Sequence, residues 1–121
     1  MDDLKKFYRN KRVLITGVTG FKGAWLCQIL KLFSSKVFGV GYKPNKNQNL
    51  FNNLNLNNEI QLKYTDIRDY KKFEGIIKKF RPEIIFHLAA QPIIFQSYLD
   101  PVGTININST GTLNLLDISK K

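Results

Sequence analysis

Apolar and polar residues fall along this chain in blocks whose period switches between strand-like and helix-like. Arg12-Val13-Leu14-Ile15-Thr16 is a short apolar, β-branched run that ends in glycine, the pattern of a buried strand. Over 21–33 the apolar residues recur at helical spacing (Ala24, Trp25, Cys27, Ile29, Leu32), and Ser34-Ser35 closes the predicted helix. Lys36-Val37-Phe38-Gly39-Val40 predicts a second strand, and residues 60–64 a third with alternating character. Asp69 is placed to cap a helix over 70–80 that carries Phe73, Ile76, Ile77 and Phe80 on one face, and Pro82 breaks it. Ile84-Ile85-Phe86-His87-Leu88 predicts a fourth strand, apolar enough to be buried on both faces. Asp100-Pro101 then opens a helix to about Ser119. Three stretches lie outside these elements. These are a polar lead-in over 1–11, an asparagine-rich loop over 44–58 with one weak helical turn, and a loop through Gln91 and Ser97.

Strands that alternate with helices imply parallel strands joined by right-handed crossovers. The expected fold is therefore an α/β sheet covered by helices on both faces. A length of 121 residues suits one domain and leaves no room for a second.

The stretch between the first strand and the first helix carries the most chemistry. It reads Thr16-Gly17-Val18-Thr19-Gly20-Phe21-Lys22-Gly23. Gly17 suits a sharp turn out of the strand, Gly20 lets backbone approach a phosphate, and Gly23 lets the helix pack tightly on the sheet. The N–H groups at the mouth of that helix then face an anion, which suits the pyrophosphate of a dinucleotide. The position of the glycines, and not their number, carries this reading; the alternative is a strand-to-helix turn with no ligand.

Charge and composition narrow the classes further. Nineteen Lys plus Arg against nine Asp plus Glu give a net charge of +10, which attracts polyanions. The lysines are scattered along the chain and form no stripe, which argues for a solvated basic surface over nucleic-acid binding. No stretch approaches the roughly 20 apolar residues needed to cross a bilayer. No apolar signal core follows the charged start, and the one cysteine, Cys27, fits a reducing compartment, so a cytoplasmic protein with no membrane partner is expected. No His/Cys cluster has metal-ligand spacing, so no metal is expected.

The Thr-Gly-x-x-Gly-x-x-Gly spacing resembles the extended short-chain dehydrogenase/reductase superfamily. Within it, Thr19-Gly20-Phe21-Lys22-Gly23-Ala24-Trp25-Leu26 resembles the CDP-glucose 4,6-dehydratases. Further matches are Leu50-Phe51, Asp66-Ile67-Arg68-Asp69, Phe86-His87-Leu88-Ala89-Ala90-Gln91-Pro92, Ser97-Tyr98, Asp100-Pro101, Asn108 and Gly111-Thr112. The resemblance implies a truncated Rossmann-type parallel sheet of about four strands, in the order 3-2-1-4, with NAD as cofactor. It implies that Gly17, Thr19, Gly20, Phe21, Lys22 and Gly23 hold the pyrophosphate. Asp66 and Ile67 would meet the adenine, unless Asp66 is only a turn or capping residue. Leu88, Ala89 and Ala90 would leave room for the nicotinamide half, unless their small size serves close packing alone. Asn108, on the last helix with Thr104, would help order the site, unless it bonds only to water. His87 reads as a hydrogen-bonded structural histidine, and Cys27 and Trp25 as packing residues.

Two departures stand out. Val18 occupies the place where the family usually has histidine. The second strand runs out into Gly41-Tyr42-Lys43-Pro44, without the acid expected there to hold the 2′-hydroxyl of NAD. Lys43 would even suit a 2′-phosphate, so NADP stays open beside NAD.

The resembled enzymes oxidise a sugar at C4, eliminate water across C5 and C6, and return the hydride to C6. That chemistry needs a tyrosine base with a lysine four residues on, and an acid/base pair. Tyr98 has Val102 at that spacing and Tyr70 has Glu74, so no catalytic residue is assigned here. The chain is expected to be one incomplete dinucleotide-binding domain over 1–121, inactive alone, binding a nucleotide sugar only when completed. The complete enzymes of the family are expected to be homo-oligomers. The alternatives are a part of another nucleotide-sugar dehydratase or epimerase, or a non-enzymatic dinucleotide-binding module.

Overall fold

The computed structural model describes residues 1–44 and 49–120. Four parallel strands, β1 (Arg12–Thr16), β2 (Lys36–Gly41), β3 (Gln61–Tyr64) and β4 (Ile84–His87), lie in the order β3-β2-β1-β4. Val13 pairs with Val37 on one side and with Ile84 on the other, so β1 is central. The crossovers are α2 (Phe21–Leu32) after β1 and α4 (Tyr70–Phe80) after β3. Between β2 and β3 run the short α3 (Asn49–Asn53) and a 3₁₀ turn, Leu56–Asn58.

Pleating sends alternate side chains of β1 to opposite faces, and each face gains its own core. Val13 and Ile15 pack with Val18, Ala24, Cys27, Leu30, Phe51 and Leu56 under α2 and α3. Leu14 packs with Val40, Ile67, Phe73, Leu115 and Ile118 under α4 and the last helix. Helices thus cover both faces, as the alternation of elements predicts. The Asp69 cap on α4 is present, its side chain accepting from the Lys72 N–H at 3.3 Å.

Several expectations need correction. Residues 1–11 are not an unstructured lead-in: α1 (Asp2–Tyr8) carries Asp2 and Asp3 in its first turn and Lys5 and Lys6 in its last, charges that oppose the helix dipole. Its Tyr8 ring stacks 6.3 Å from that of Phe33. The expected loop through Ser97 contains α5 (Ile94–Leu99), a short exposed helix with no side-chain cap. The last helix starts at Pro101 and ends at Ser119, but in three pieces: α6 (Pro101–Ile105), a π-helical turn (Asn106–Thr110) and α7 (Gly111–Ser119). Strand β4 is half-buried throughout, not buried on both faces, because among the described residues it is an edge strand paired only with β1. Of the expected loop over 44–58, residues 45–48 lie outside the described residues; 49–58 hold α3 and the 3₁₀ turn, more order than one weak helical turn.

Trp25 is also 45% exposed, since α2 turns Gly23, Ala24, Cys27 and Leu30 inward and leaves its ring on the outer side.

Candidate functional site

From the central β1 the chain winds outward to β2 and β3 on one side and then crosses to β4 on the other, so the winding order reverses between β1 and β4. A crevice at the carboxyl ends of strands arranged in this way is where open α/β sheets bind ligands. The glycine loop stands at that point.

Each glycine of the loop has its own physical reason. Gly17 has φ +71°, and a Cβ there would lie 2.7 Å from the Leu88 carbonyl and from the Ala89 nitrogen. A Cβ on Gly23 would lie 2.2 Å from the Gly17 carbonyl oxygen and 2.7 Å from the Val18 Cα. The protein's own packing therefore requires both. Gly20 differs: its backbone is extended (φ −77°, ψ 168°), it is exposed, and its Cβ would meet only the Gly17 oxygen, at 3.3 Å. The fold constrains this position less than the other two: a Cβ would need the Gly17 oxygen to give by only a few tenths of an ångström, and the residue is open to solvent.

Gly20 is the N-cap of α2 and offers no side chain. The Ala24 N–H donates to the Gly20 carbonyl at 2.9 Å, the first bond of the helix. The N–H groups of Phe21, Lys22 and Gly23 precede it and have no intrahelical acceptor. The first turn has no acidic residue to compete for them. Phe21 and Lys22 are exposed at this mouth, and Thr19 lies over Gly41, whose Cβ would come 2.9 Å from the Thr19 hydroxyl. Val18, in the place of the family's histidine, is fully buried and packs where a Gly39 side chain would stand.

A hydrogen-bonded chain fixes the border between β1 and β4. The buried Thr16 hydroxyl oxygen accepts from the Leu88 N–H at 3.1 Å and from the Ala89 N–H at 3.2 Å. Its own hydrogen therefore goes to His87 Nδ1, at 2.7 Å. The Thr112 hydroxyl donates to the Asn108 carbonyl at 2.6 Å, so His87 Nε2 carries the ring proton and donates to the Thr112 oxygen at 3.0 Å. Every position in this chain is filled when the imidazole is neutral, and burial lowers the His87 pKa. His87 is thus a structural histidine, as the sequence indicates. It holds Leu88 and Ala89 at the mouth of the crevice, with Leu88 and Ala90 exposed and Ala89 half-buried.

Asn108 lies on the π-helical turn and spends its whole amide on Gln91. Its Oδ1 accepts from the Gln91 N–H at 2.7 Å, and its Nδ2 donates to the Gln91 carbonyl at 3.1 Å. Gln91 in turn donates through Nε2 to the Thr104 hydroxyl at 3.0 Å. Asn108 orders the segment after β4, and water is not its main partner.

Asp66 and Ile67 leave β3 at the same edge of the sheet but part ways. The Ile67 side chain is buried against Gly111 of α7, so only its backbone can border a ligand. Asp66 accepts from the Arg68 backbone N–H at 2.8 Å, from the Arg68 guanidinium at 2.6 Å, and from the Tyr42 hydroxyl at 2.9 Å. The Arg68 bonds hold its carboxyl down at about 2. This contact with Tyr42 is not visible in the sequence order. A tyrosine with a lysine four positions on does occur, at Tyr42 and Lys46, beyond the two weighed above. Tyr42 follows the end of β2, Pro44 intervenes, and Lys46 lies outside the described residues. Tyr98 is 81% exposed on α5.

A cavity of about 980 Å³ opens elsewhere, beside α4 and β3. Arg12, Lys36, Lys63, Lys72 and Lys79 line it, so cations scattered in the sequence share one groove. None of the glycine-loop residues lines it.

A family model described as GDP-mannose 4,6 dehydratase matches residues 14–121, nearly the whole of the sheet and its helices. The chain belongs to the GDP-mannose 4,6 dehydratase family. Within that family it is similar to the CDP-glucose 4,6-dehydratase of Salmonella typhimurium, with 40% identity over 117 residues, 97% of this chain and 33% of the relative. Among solved structures it is similar to the UDP-glucose 4-epimerase of Thermotoga maritima with UDP-glucose (TM-score 0.78, 31% identity, covering 89% of this chain and 33% of that one). The UDP-glucose 4-epimerase of Thermus thermophilus in complex with NAD gives a TM-score of 0.78 at 28% identity, covering 90% of this chain and 33% of that one. The chain spans about a third of the length of the relatives it matches. The dehydratase resemblance and the Rossmann-type sheet expected from the sequence both stand. No helix among the described residues is long and apolar enough to cross a membrane.

Proposed function

We propose that this chain is the dinucleotide-binding part of a nucleotide-sugar 4,6-dehydratase, with NAD as its cofactor and CDP-glucose as the sugar nucleotide of the complete enzyme. One observation carries the reading: the fold constrains Gly17 and Gly23 tightly and the exposed Gly20 much less, which supports a ligand-facing role for Gly20. The 40% identity to the Salmonella typhimurium dehydratase supports the reaction class and the sugar. The complex of the Thermus thermophilus relative with NAD supports the cofactor.

In this reading Gly17 sets the turn and Gly20 and Thr19 floor the pyrophosphate site. The free N–H groups of Phe21, Lys22 and Gly23 donate to the phosphate oxygens, aided by the helix dipole. Asp66 and the Ile67 backbone border the adenine. Leu88, Ala89 and Ala90 border the nicotinamide half, held in place through Thr16 and His87, while Asn108 fixes Gln91 beside them. A bound nicotinamide dinucleotide supplies a reversible hydride carrier. In this reading the groups that move protons and select the sugar belong to the remaining two-thirds of the relatives' length. A second reading, an epimerase of the same fold, is favoured by the 31% identity to the Thermotoga maritima enzyme. It shares the cofactor site, so the two readings part only at the sugar.

Titration calorimetry with NAD and with NADP tests the proposal. The chain should bind NAD more tightly than NADP, and Gly20→Val should abolish binding of both without unfolding the chain. Absence of heat with either dinucleotide, or full binding by the Gly20→Val chain, would refute the phosphate-site assignment.

A further inference from the structure

The family fold calls for an acid after β2 to hold the adenosine 2′-hydroxyl, and here that place holds Gly41-Tyr42-Lys43. Resting on the cofactor reading above, we propose that Tyr42 replaces the missing acid: its phenol oxygen, with its proton committed to Asp66, accepts the hydrogen bond of the adenosine 2′-hydroxyl.

Strands β2 and β3 are parallel neighbours, with Gly41 paired to Tyr64, so the residues that follow them emerge at one edge. There the Tyr42 hydroxyl lies 2.9 Å from Asp66 Oδ2. Arg68 binds the same carboxylate through its backbone N–H at 2.8 Å and through Nε at 3.0 Å to each oxygen. So held, Asp66 is ionised at neutral pH and has no proton to give, which makes Tyr42 the donor of the pair. Burial and the Asp66 carboxylate raise the Tyr42 pKa, so the phenol keeps its proton. A phenol whose hydrogen is spent offers only lone pairs, as a carboxylate would. It suits a hydroxyl donor and gives nothing to a 2′-phosphate, whose oxygens are acceptors. Asp66 acts through Tyr42 as a positioning residue. Tyr42 is 55% exposed, so a ligand can reach it.

The test uses the 121-residue chain and its Tyr42→Phe variant, checked for equal melting temperature, with calorimetry of NAD and of its 2′-deoxyadenosine analogue. Loss of one neutral hydrogen bond should weaken binding roughly two- to tenfold. We expect that deficit for the analogue on the wild-type chain and for NAD on Tyr42→Phe. On Tyr42→Phe the two ligands should bind equally. A wild-type chain that binds NAD and the analogue alike, or a Tyr42→Phe chain that still favours NAD, would overturn the role of Tyr42 while leaving the cofactor site intact. Failure of the wild-type chain to bind NAD at all would overturn the cofactor reading itself.

Discussion

Replacing Gly17 and Gly20 separately by alanine should divide stability from binding. Gly17→Ala puts a Cβ on a residue with φ +71°, 2.7 Å from the backbone of Leu88 and Ala89. The left-handed conformation costs an L-residue about 1–2 kcal/mol. Crowding against backbone that is itself tied to Thr16 adds roughly 1–3 kcal/mol. The sum is about 2–5 kcal/mol. For a domain of this size each kcal/mol moves the melting temperature by roughly 3–5 °C, so a drop on the order of 10 °C or more is expected. Gly20→Ala meets an extended backbone that alanine adopts freely and one oxygen at 3.3 Å. Its costs are the poorer N-cap, about 1 kcal/mol or less, and a small shift of the Gly17 oxygen away from the new methyl. Its binding of NAD should nevertheless fall at least tenfold, because the new methyl stands where the phosphate approaches. Thermal melts followed by circular dichroism, with NAD titrations on the same samples, measure both effects. Equal melting losses in the two variants, or a Gly20→Ala chain that binds NAD like wild type, would refute the division of roles among these glycines.

Two further outcomes are expected. Burial lowers the His87 pKa below its ordinary value of about 6.5, so the neutral ring favours the folded state. That contribution is complete above pH ~6.5 and is lost as pH falls toward the folded value. Urea midpoints should therefore drop between pH 7.5 and 5.5 in wild type and less in His87→Gln; equal slopes would contradict the neutral tautomer. The open edge of β4 and the exposed Ile94, Phe95, Val102 and Ile105 are both prone to association. Sedimentation of the 121-residue chain should show concentration-dependent association, and a sharp monomer boundary at all concentrations would count against that expectation.

Much of this was legible in the sequence because it rests on local signals. The β1 boundaries, the Asp69 cap, the start of α6 at Pro101 and the placement of the glycine loop all follow from residues within one or two turns of each other. What escaped depends on distance or on weak local signals. Tyr42 and Asp66 meet only because β2 and β3 lie side by side, 24 positions apart in sequence. The half-exposure of β4 is a property of its place in the sheet, not of its apolar composition. The π-helical turn at Asn106–Thr110 inserts within a continuous helical pattern, and periodicity does not mark it. Helix α5 has no capping residue to announce it, and α1 is too polar to stand out from a linker.

The central claim is that the mouth of α2 holds a diphosphate, and backbone amides report on it directly. In ¹⁵N-labelled chain titrated with NAD, the amide resonances of Gly20, Phe21, Lys22 and Gly23 should shift the most, and pyrophosphate alone should move the same set more weakly. Saturable NAD binding that leaves those amides unmoved, with the shifts gathered elsewhere on the sheet, would contradict it.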